Sequence, residues 1–200
     1  IYNGVGEEFR KKSKEEIDYL YEKYNIPRNK KILMYAGNLK PHKNIEKLLE
    51  AFSLLEDKEN YVLLIVGKAF ENYTVLDEKE KQLGIKDFII NTGSLTQEQI
   101  IDVYNLADLF IFPSLYEGFG LPIIEALACG TKVISSNTSS LPEVGGDVIE
   151  YFDPNNAREI CEKIKASEHI EFNEEKVEKW LKNFDWKKIS EEVKSSFNEK

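Results

Sequence analysis

Two carboxylates eight positions apart, Glu117 and Glu125, bracket the stretch Gly118-Phe119-Gly120-Leu121-Pro122. Glycines in a loop let a ligand approach the backbone, and proline suits the first position of a helix. The unpaired amides around Gly120, Leu121, Ile123 and Ile124 then form a helix N-terminus, a ready site for an anion. The helix dipole contributes roughly 0.3–1 kcal/mol per charge at an exposed position and more in a sheltered one. Glu125, read as lying in the first turn, can accept two hydrogen bonds from a vicinal diol. Glu117 can do the same for a second polyol on the loop side. A phosphate between two sugars fits this layout, with the anion at the amides and one carboxylate on each side. Singly, Glu125 is also a surface glutamate complementing the dipole, and Glu117 a solvated loop charge; their pairing in one turn favours a site.

The turn has no cation of its own. No Lys or Arg lies between Lys86 and Lys132, so side-chain positive charge must come from another part of the chain. The net charge of −9 argues against a general nucleic-acid binder, which needs a cationic footprint. Cys129 and Cys161 fall on apolar faces of predicted helices and read as buried thiols in a reducing compartment. His42 and His169 are too isolated to complete a metal cluster with them, so no metal site is expected.

The frame around the turn is legible from periodicity. At 42% hydrophobic and 12% aromatic residues, the chain can bury a substantial core. Its apolar runs, such as Ile32 to Ala36 and Val62 to Val66, are strand-sized and far short of a membrane span. Residues 1–12 read as a connecting segment. The start at Ile1 reads as a piece of something longer or a processed product. Ser13 with Glu16 is a capping box opening a helix to about Tyr24. Strands are expected at Ile32 to Ala36 and Tyr61 to Val66, both continuous apolar runs, and at Phe88 to Ile90, Leu109 to Phe112 and Lys132 to Ser135, with a sixth at Val148 to Phe152.

Helices fall between these strands. Asn44 is expected to cap the stripe Ile45, Leu48, Leu49, Phe52 and Leu55. A polar helical segment runs up to Gly84, Thr96 with Gln99 opens another helix, and the turn at Pro122 opens one that ends at Gly130. Helices fill the C-terminal part, the last capped by Asp185. Alternation with short connections predicts an α/β, doubly wound, Rossmann-like domain. It has a six-stranded parallel sheet, helices on both faces and extra C-terminal helices. Such sheets bind ligands beyond the carboxyl ends of their strands. Here Gly37, Gly67, the Asn91-Thr92-Gly93 stretch and the Glu117 turn all lie at such ends.

These residues carry a resemblance. Glu117-Gly118-Phe119-Gly120-Leu121-Pro122 with Glu125 resembles the paired-glutamate motif of the retaining GT-B glycosyltransferases, the family 4 type of group 1. Asn3-Gly4-Val5 is similar to the end of that family's interdomain linker, and Gly37 to Asn44 to its phosphate loop. Ala107-Asp108 with Pro113-Ser114 resembles the approach to the motif, and Leu141-Pro142-Glu143 a common segment beyond it. The likeness covers nearly the whole chain; the glutamate motif is specific, the other pieces weak alone.

The resemblance implies a linker remnant at 1–12 and a donor-binding domain at 13–200, the C-terminal half of a two-domain enzyme. It implies Glu117 and Lys43 as the catalytic pair, with Glu117 on the donor sugar, Lys43 on the phosphates and Glu125 on the ribose. Gly37, Asn38 and Gly67, the backbone of Gly118, Phe119, Gly120 and Leu121, and Ser94 and Leu95 near the nucleobase would complete the donor site. Many members have arginine at the position of Asn38, and His42 stands where a second basic residue is common. Lys43 is therefore the clearest phosphate cation, with Lys40 and His42 as helpers.

The implied donor is a UDP-, GDP- or ADP-linked hexose. It is transferred with retention to a glycan or lipid-linked acceptor held by the missing N-terminal domain, with no cofactor and no metal. The implied setting is cytoplasmic polysaccharide or glycolipid synthesis, with any membrane association carried by the missing half. The fragment alone would bind donor weakly and turn over little or nothing. Alternatives are a non-catalytic nucleotide-sugar or partner-binding module, an epimerase or phosphorylase on the same architecture, and a receiver- or flavin-type domain. The last is disfavoured by the two glutamates, and neither an epimerase's catalytic histidines nor a phosphorylase's cofactor lysine is visible.

Overall fold

Alternating apolar side chains along each strand build the two layers that flank a single parallel sheet. A computed structural model describes residues 2–68 and 75–198. In chain order the elements are α1 (Lys14–Ile17), α2 (Tyr19–Lys23), β1 (Lys31–Ala36), α3 (Ile45–Ser53), β2 (Tyr61–Val66), α4 (Val75–Gln82) and β3 (Ile89–Gly93). Then come α5 (Gln97–Leu106), β4 (Leu109–Phe112), α6 (Leu121–Ala128), β5 (Lys132–Ser136), α7 (Leu141–Gly145) and β6 (Glu150–Phe152). The chain closes with α8 (Ala157–Ala166), α9 (Glu174–Leu181) and α10 (Trp186–Asn198).

The sheet order is β3-β2-β1-β4-β5-β6 with every pairing parallel. The six-stranded, doubly wound expectation therefore holds. The chain builds outward from β1 to β3, returns to the middle, and builds outward again from β4 to β6. β1 and β4 are adjacent, paired at Leu33↔Leu109 and Met34↔Phe110. The crevice beyond their carboxyl ends is the topological switch point, where open α/β sheets take ligands.

Ile32, Met34, Phe110 and Phe112 point to one face and pack with residues of α2, α5, α6, α7 and α9. Leu33, Tyr35, Leu63 and Ile111 point to the other and pack with α3 and α8. The period of two along each strand sends neighbours to opposite faces, so both faces are buried. Burial of each large apolar side chain contributes roughly 1.5–3 kcal/mol, and this drives the layering.

Some boundaries move. The Ser13 capping box forms, but the helix it opens is two short stretches with Asp18 between them. β3 starts one residue later than expected and runs on through Asn91-Thr92-Gly93, pairing along β2 past a bulge at Ile65/Val66. It is an edge strand, and ladder hydrogen bonds hold polar residues that no apolar run announced. β6 is shorter than expected because residues 148 and 149 precede the ladder. The helix before Gly84 is present as α4, and residues 69–74 of that expected segment lie outside the described residues. Asp185 caps α10, accepting from the amides of Lys187 at 2.7 Å and Lys188 at 3.3 Å.

The segment from Val5 to Lys12 is stitched onto the domain. Val5 forms a bridge to Asp185 and donates to Phe184 O at 2.9 Å. Lys12 donates its amide to Asn105 Oδ1 at 2.6 Å and pairs its ammonium with the buried Asp102 of α5. Tyr19 holds the other Asp102 oxygen at 2.6 Å.

Candidate functional site

Two loops meet at the switch point. The first leaves β1 at Gly37 and closes in a tight turn, Pro41–Lys43. The second leaves β4 at Pro113 and ends where α6 begins. Lys43 Nζ and Glu117 Oε1 lie 2.5 Å apart, the two side chains 16% and 14% exposed. The Lys43 ammonium also sits 5.4 Å from the centre of the Phe112 ring. So the sequence's proposed cation is supplied from β1 to a carboxylate on β4, across the crevice.

Backbone contacts hold the loops together. Leu115 N donates to His42 O at 2.8 Å. Asn44 has left-handed backbone at φ 56 and makes no side-chain cap to α3, contrary to expectation. Its side-chain Nδ2 instead donates to Pro113 O at 3.1 Å and Pro154 O at 2.7 Å. The left-handed turn aims Asn44 away from the helix it precedes, so it ties three strand ends together.

The start of α6 also differs from expectation. Gly120 is the N-cap at φ 114, Leu121 is the first helical residue, and Pro122 the second. The Ile123 amide is taken by Gly120 O at 3.0 Å, so it is not free for an anion. Glu125 consequently lies in the second turn rather than the first, and its placement owes nothing to the helix dipole. Its carboxylate faces α5, where Tyr104 Oη donates to Oε2 at 3.2 Å. Burial pushes the Glu125 carboxyl above its ordinary value, against the lowering effect of that hydrogen bond. Burial, with the Glu125 charge beside it, likewise pushes the Tyr104 hydroxyl well up.

The remaining expected residues divide into near and far. A Cβ added to Gly37 would reach within 3.9 Å of Lys43, so that glycine borders the ion pair. Gly67 faces the first loop: a Cβ there would stand 1.9 Å from Gly37 O. Its lack of a side chain is accounted for by two strand ends packing backbone to backbone. Asn38 is exposed. Gly118 is open, with nothing within 4 Å of an added Cβ. Phe119 turns its ring away to Tyr2 and Phe184, at centroid distances of 6.1 Å each, leaving only its backbone to the loop. Leu121 is partly exposed, as are Leu115 and Tyr116 earlier in the same loop, the last 67% exposed. Ser94 and Leu95 follow β3, one strand beyond β2; Ser94 is exposed and Leu95 packs on the core.

Sequence reasoning missed four residues that shape this site. Asn44 is expected only as a helix cap, and Tyr104 carries no site signal in the sequence. Ser139 and Ser140, which carry no expected role in the site, bond the backbone of Glu117 at 3.0 and 3.1 Å. Hydroxyls next to Leu141-Pro142-Glu143 were the only signal available.

Among the described residues, no group of three or more His, Cys, Asp or Glu is placed to hold a metal ion. Cys129 and Cys161 are free and buried, and burial pushes the Cys129 thiol up to about 12. A cavity of about 240 Å³ lies between β5, β6 and α9. It opens at the amino ends of the strands, away from the ion pair. No described helix is long and apolar enough to cross a membrane.

The model of the family described as Glycosyl transferases group 1 matches residues 16–184. The chain belongs to that family. Among its relatives, the serotype-specific mannosyltransferase WbdA of Escherichia coli is 39% identical over 166 residues, covering 80% of this chain and 20% of WbdA. The chain thus spans about a fifth of the length of that curated relative. The C-terminal domain of the group 1 glycosyl transferase LpcC from Francisella tularensis superposes with a TM-score of 0.72 at 24% identity, covering 84% of this chain and 89% of that one. Anabaena HepE, solved in complex with UDP-glucose, superposes with a TM-score of 0.88 at 20% identity, covering 100% of this chain and 57% of HepE. The group 1 domain described here therefore has the Rossmann-like fold of the C-terminal domains of GT-B glycosyltransferases.

Proposed function

We propose that this group 1 domain holds the donor, a nucleotide-diphosphate hexose, for transfer with retention to a glycan or glycolipid acceptor bound by another part of the full-length protein. The observation that carries the reading is the Lys43–Glu117 pair at the switch point, with α6 opening at Leu121 in the same loop. Lys43 is assigned to the diphosphate and Glu117 to the hydroxyls of the hexose. Glu125, with Oε2 on Tyr104, is assigned to the ribose through its other oxygen. Gly37, Asn38 and the backbone of Gly118, Phe119, Gly120 and Leu121 border the same ligand, and Ser94 and Leu95 the nucleobase.

The chemistry follows from charge. When the sugar–phosphate bond breaks, negative charge grows on the diphosphate. A preorganised cation and aligned amides in a sheltered site stabilise that charge without rearrangement. Loss of one such group typically costs about 10²–10³ in kcat. Retention requires the acceptor hydroxyl to approach from the face the diphosphate leaves. Lys43 and α6, rather than a metal ion or cofactor, are the proposed counter-charges. Identity to a mannosyltransferase favours mannose as the hexose.

Calorimetric titration of the chain with UDP, GDP and ADP tests the reading. One of the three should bind, and Lys43→Met should weaken it at least tenfold. Unchanged binding in Lys43→Met would sink the phosphate assignment, and transfer at the normal rate by full-length Glu117→Ala would sink the sugar assignment.

A further inference from the structure

Glu117 turns its carboxylate into the crevice while its main chain is gripped from the loop after β5. Ser139 Oγ accepts from the Glu117 amide at 3.0 Å. Ser140 Oγ lies 2.7 Å from Phe119 O and 3.1 Å from Glu117 O. A hydroxyl has one proton to donate, so the two carbonyls share it, with the shorter contact dominant. Thr138 Oγ1 donates to Ser114 O at 3.3 Å. Three consecutive hydroxyls thus fasten the main chain from Ser114 to Phe119.

The grip compensates for the loop's own composition. Gly118 has open space where a side chain would be, and Gly120 adopts φ 114. Such residues leave the backbone many alternatives. Ser139 sits at φ 48, a region that side-chain-bearing residues rarely adopt, and in this conformation its hydroxyl meets the Glu117 amide. Lys43 bonds the Glu117 carboxylate, whereas the serine hydroxyls bond its main chain.

We infer that Ser139 and Ser140 are positioning residues for sugar selection, fixing the Glu117 main chain so that its carboxylate meets the donor hexose. This rests on the reading above that Glu117 contacts the sugar. Neither serine is assigned a contact with the nucleotide, whose diphosphate goes to Lys43 and α6. Removing the hydroxyls therefore lowers affinity for a nucleotide sugar but spares affinity for the bare nucleoside diphosphate. A merely structural role would weaken both in proportion.

The test is calorimetric titration with UDP, GDP and ADP, and with UDP-glucose, GDP-mannose and ADP-glucose. It compares the wild-type chain with Ser140→Ala, Ser140→Thr, Ser139→Gly and Glu117→Ala. Ser140→Ala should lower the ratio of sugar-nucleotide to nucleotide affinity at least fivefold, and Ser140→Thr, which keeps the hydroxyl, should restore it. Ser139→Gly removes the acceptor without backbone strain and should lower the same ratio, which keeps the test open if Ser140→Ala does not fold. A ratio lowered by Glu117→Ala but unchanged in both serine variants overturns the inference and leaves the sugar reading standing. A ratio unchanged by Glu117→Ala overturns the sugar reading and the inference with it. So does a wild-type chain that binds none of the six ligands.

Discussion

Lys43 and Glu117 are bonded to each other at 2.5 Å, joining the loop after β1 to the loop after β4. Both are largely sheltered, so the pair is less screened than a surface contact. A diphosphate that takes Lys43 must first draw it from Glu117, which is then released to hydrogen-bond sugar hydroxyls. Glu117→Gln removes that competition. It should tighten binding of the preferred nucleoside diphosphate by about tenfold, equivalent to ~1.4 kcal/mol. Calorimetry on the variant decides: equal or weaker binding would mean the ion pair does not oppose the ligand.

Glu125 predicts a pH dependence. Its folded carboxyl is raised above the ordinary 4.5 because burial disfavours the charged form. Between the ordinary value and the raised one, the folded state holds the proton more tightly than the unfolded state. Stability therefore falls as pH rises through that window. Glu125→Gln should be more stable than wild type above the window and lack this slope. Urea denaturation from pH 4 to pH 8 would show it; parallel curves for the two proteins would refute the burial effect.

The ribose assignment makes an opposite demand on the same group. Diol hydroxyls donating to Glu125 favour its ionised form, so nucleotide binding should weaken as pH falls through the carboxyl's titration. Glu125→Gln should bind weakly and without that pH dependence. A variant that binds as the wild type does, at every pH, would remove Glu125 from the site.

Asn44 combines two costs that substitution separates. Glycine keeps the left-handed backbone at φ 56 but loses both bonds to Pro113 and Pro154. At about 0.5–1.5 kcal/mol per hydrogen bond, Asn44→Gly should lose roughly 1–3 kcal/mol. Asn44→Ala adds left-handed strain of about 1–2 kcal/mol. Equal unfolding energies for the two variants would show that the backbone is free to relax.

Two glycines of the expected donor site should behave in opposite ways. Alanine at Gly67 puts a methyl group 1.9 Å from Gly37 O, at φ +147. The strand ends must then separate, which places the cost among the large values of about 4 kcal/mol or more. Gly118→Ala meets nothing within 4 Å and should change stability by no more than about 0.5 kcal/mol. Thermal unfolding of the two variants side by side would check the contrast.

Much of the fold was legible because local rules and burial agreed. Ile32 to Ala36, Tyr61 to Val66 and Leu109 to Phe112 are continuous apolar runs, and all three are buried strands. The capping boxes at Ser13 and Thr96 formed as their spacing required. Edge strand β3 is longer than its apolar run because Asn91 and Thr92 carry no hydrophobic signal; their place in the sheet depends on β2 being next to them.

For the site, the sequence by itself determined the pieces: two carboxylates eight positions apart, glycines at strand ends, and a helix starting near Pro122. It also required the cation to come from elsewhere, since residues 87–131 contain none. Only the tertiary structure decided which groups meet. Strand order placed β1 beside β4, bringing Lys43 onto Glu117 across 74 positions of chain. Packing of α6 against α5 turned Glu125 to Tyr104, and the loop after β5 supplied Ser139 and Ser140. Spacing along a chain fixes neighbours on one element, whereas contacts between elements follow from the sheet order and from the faces that burial turns inward.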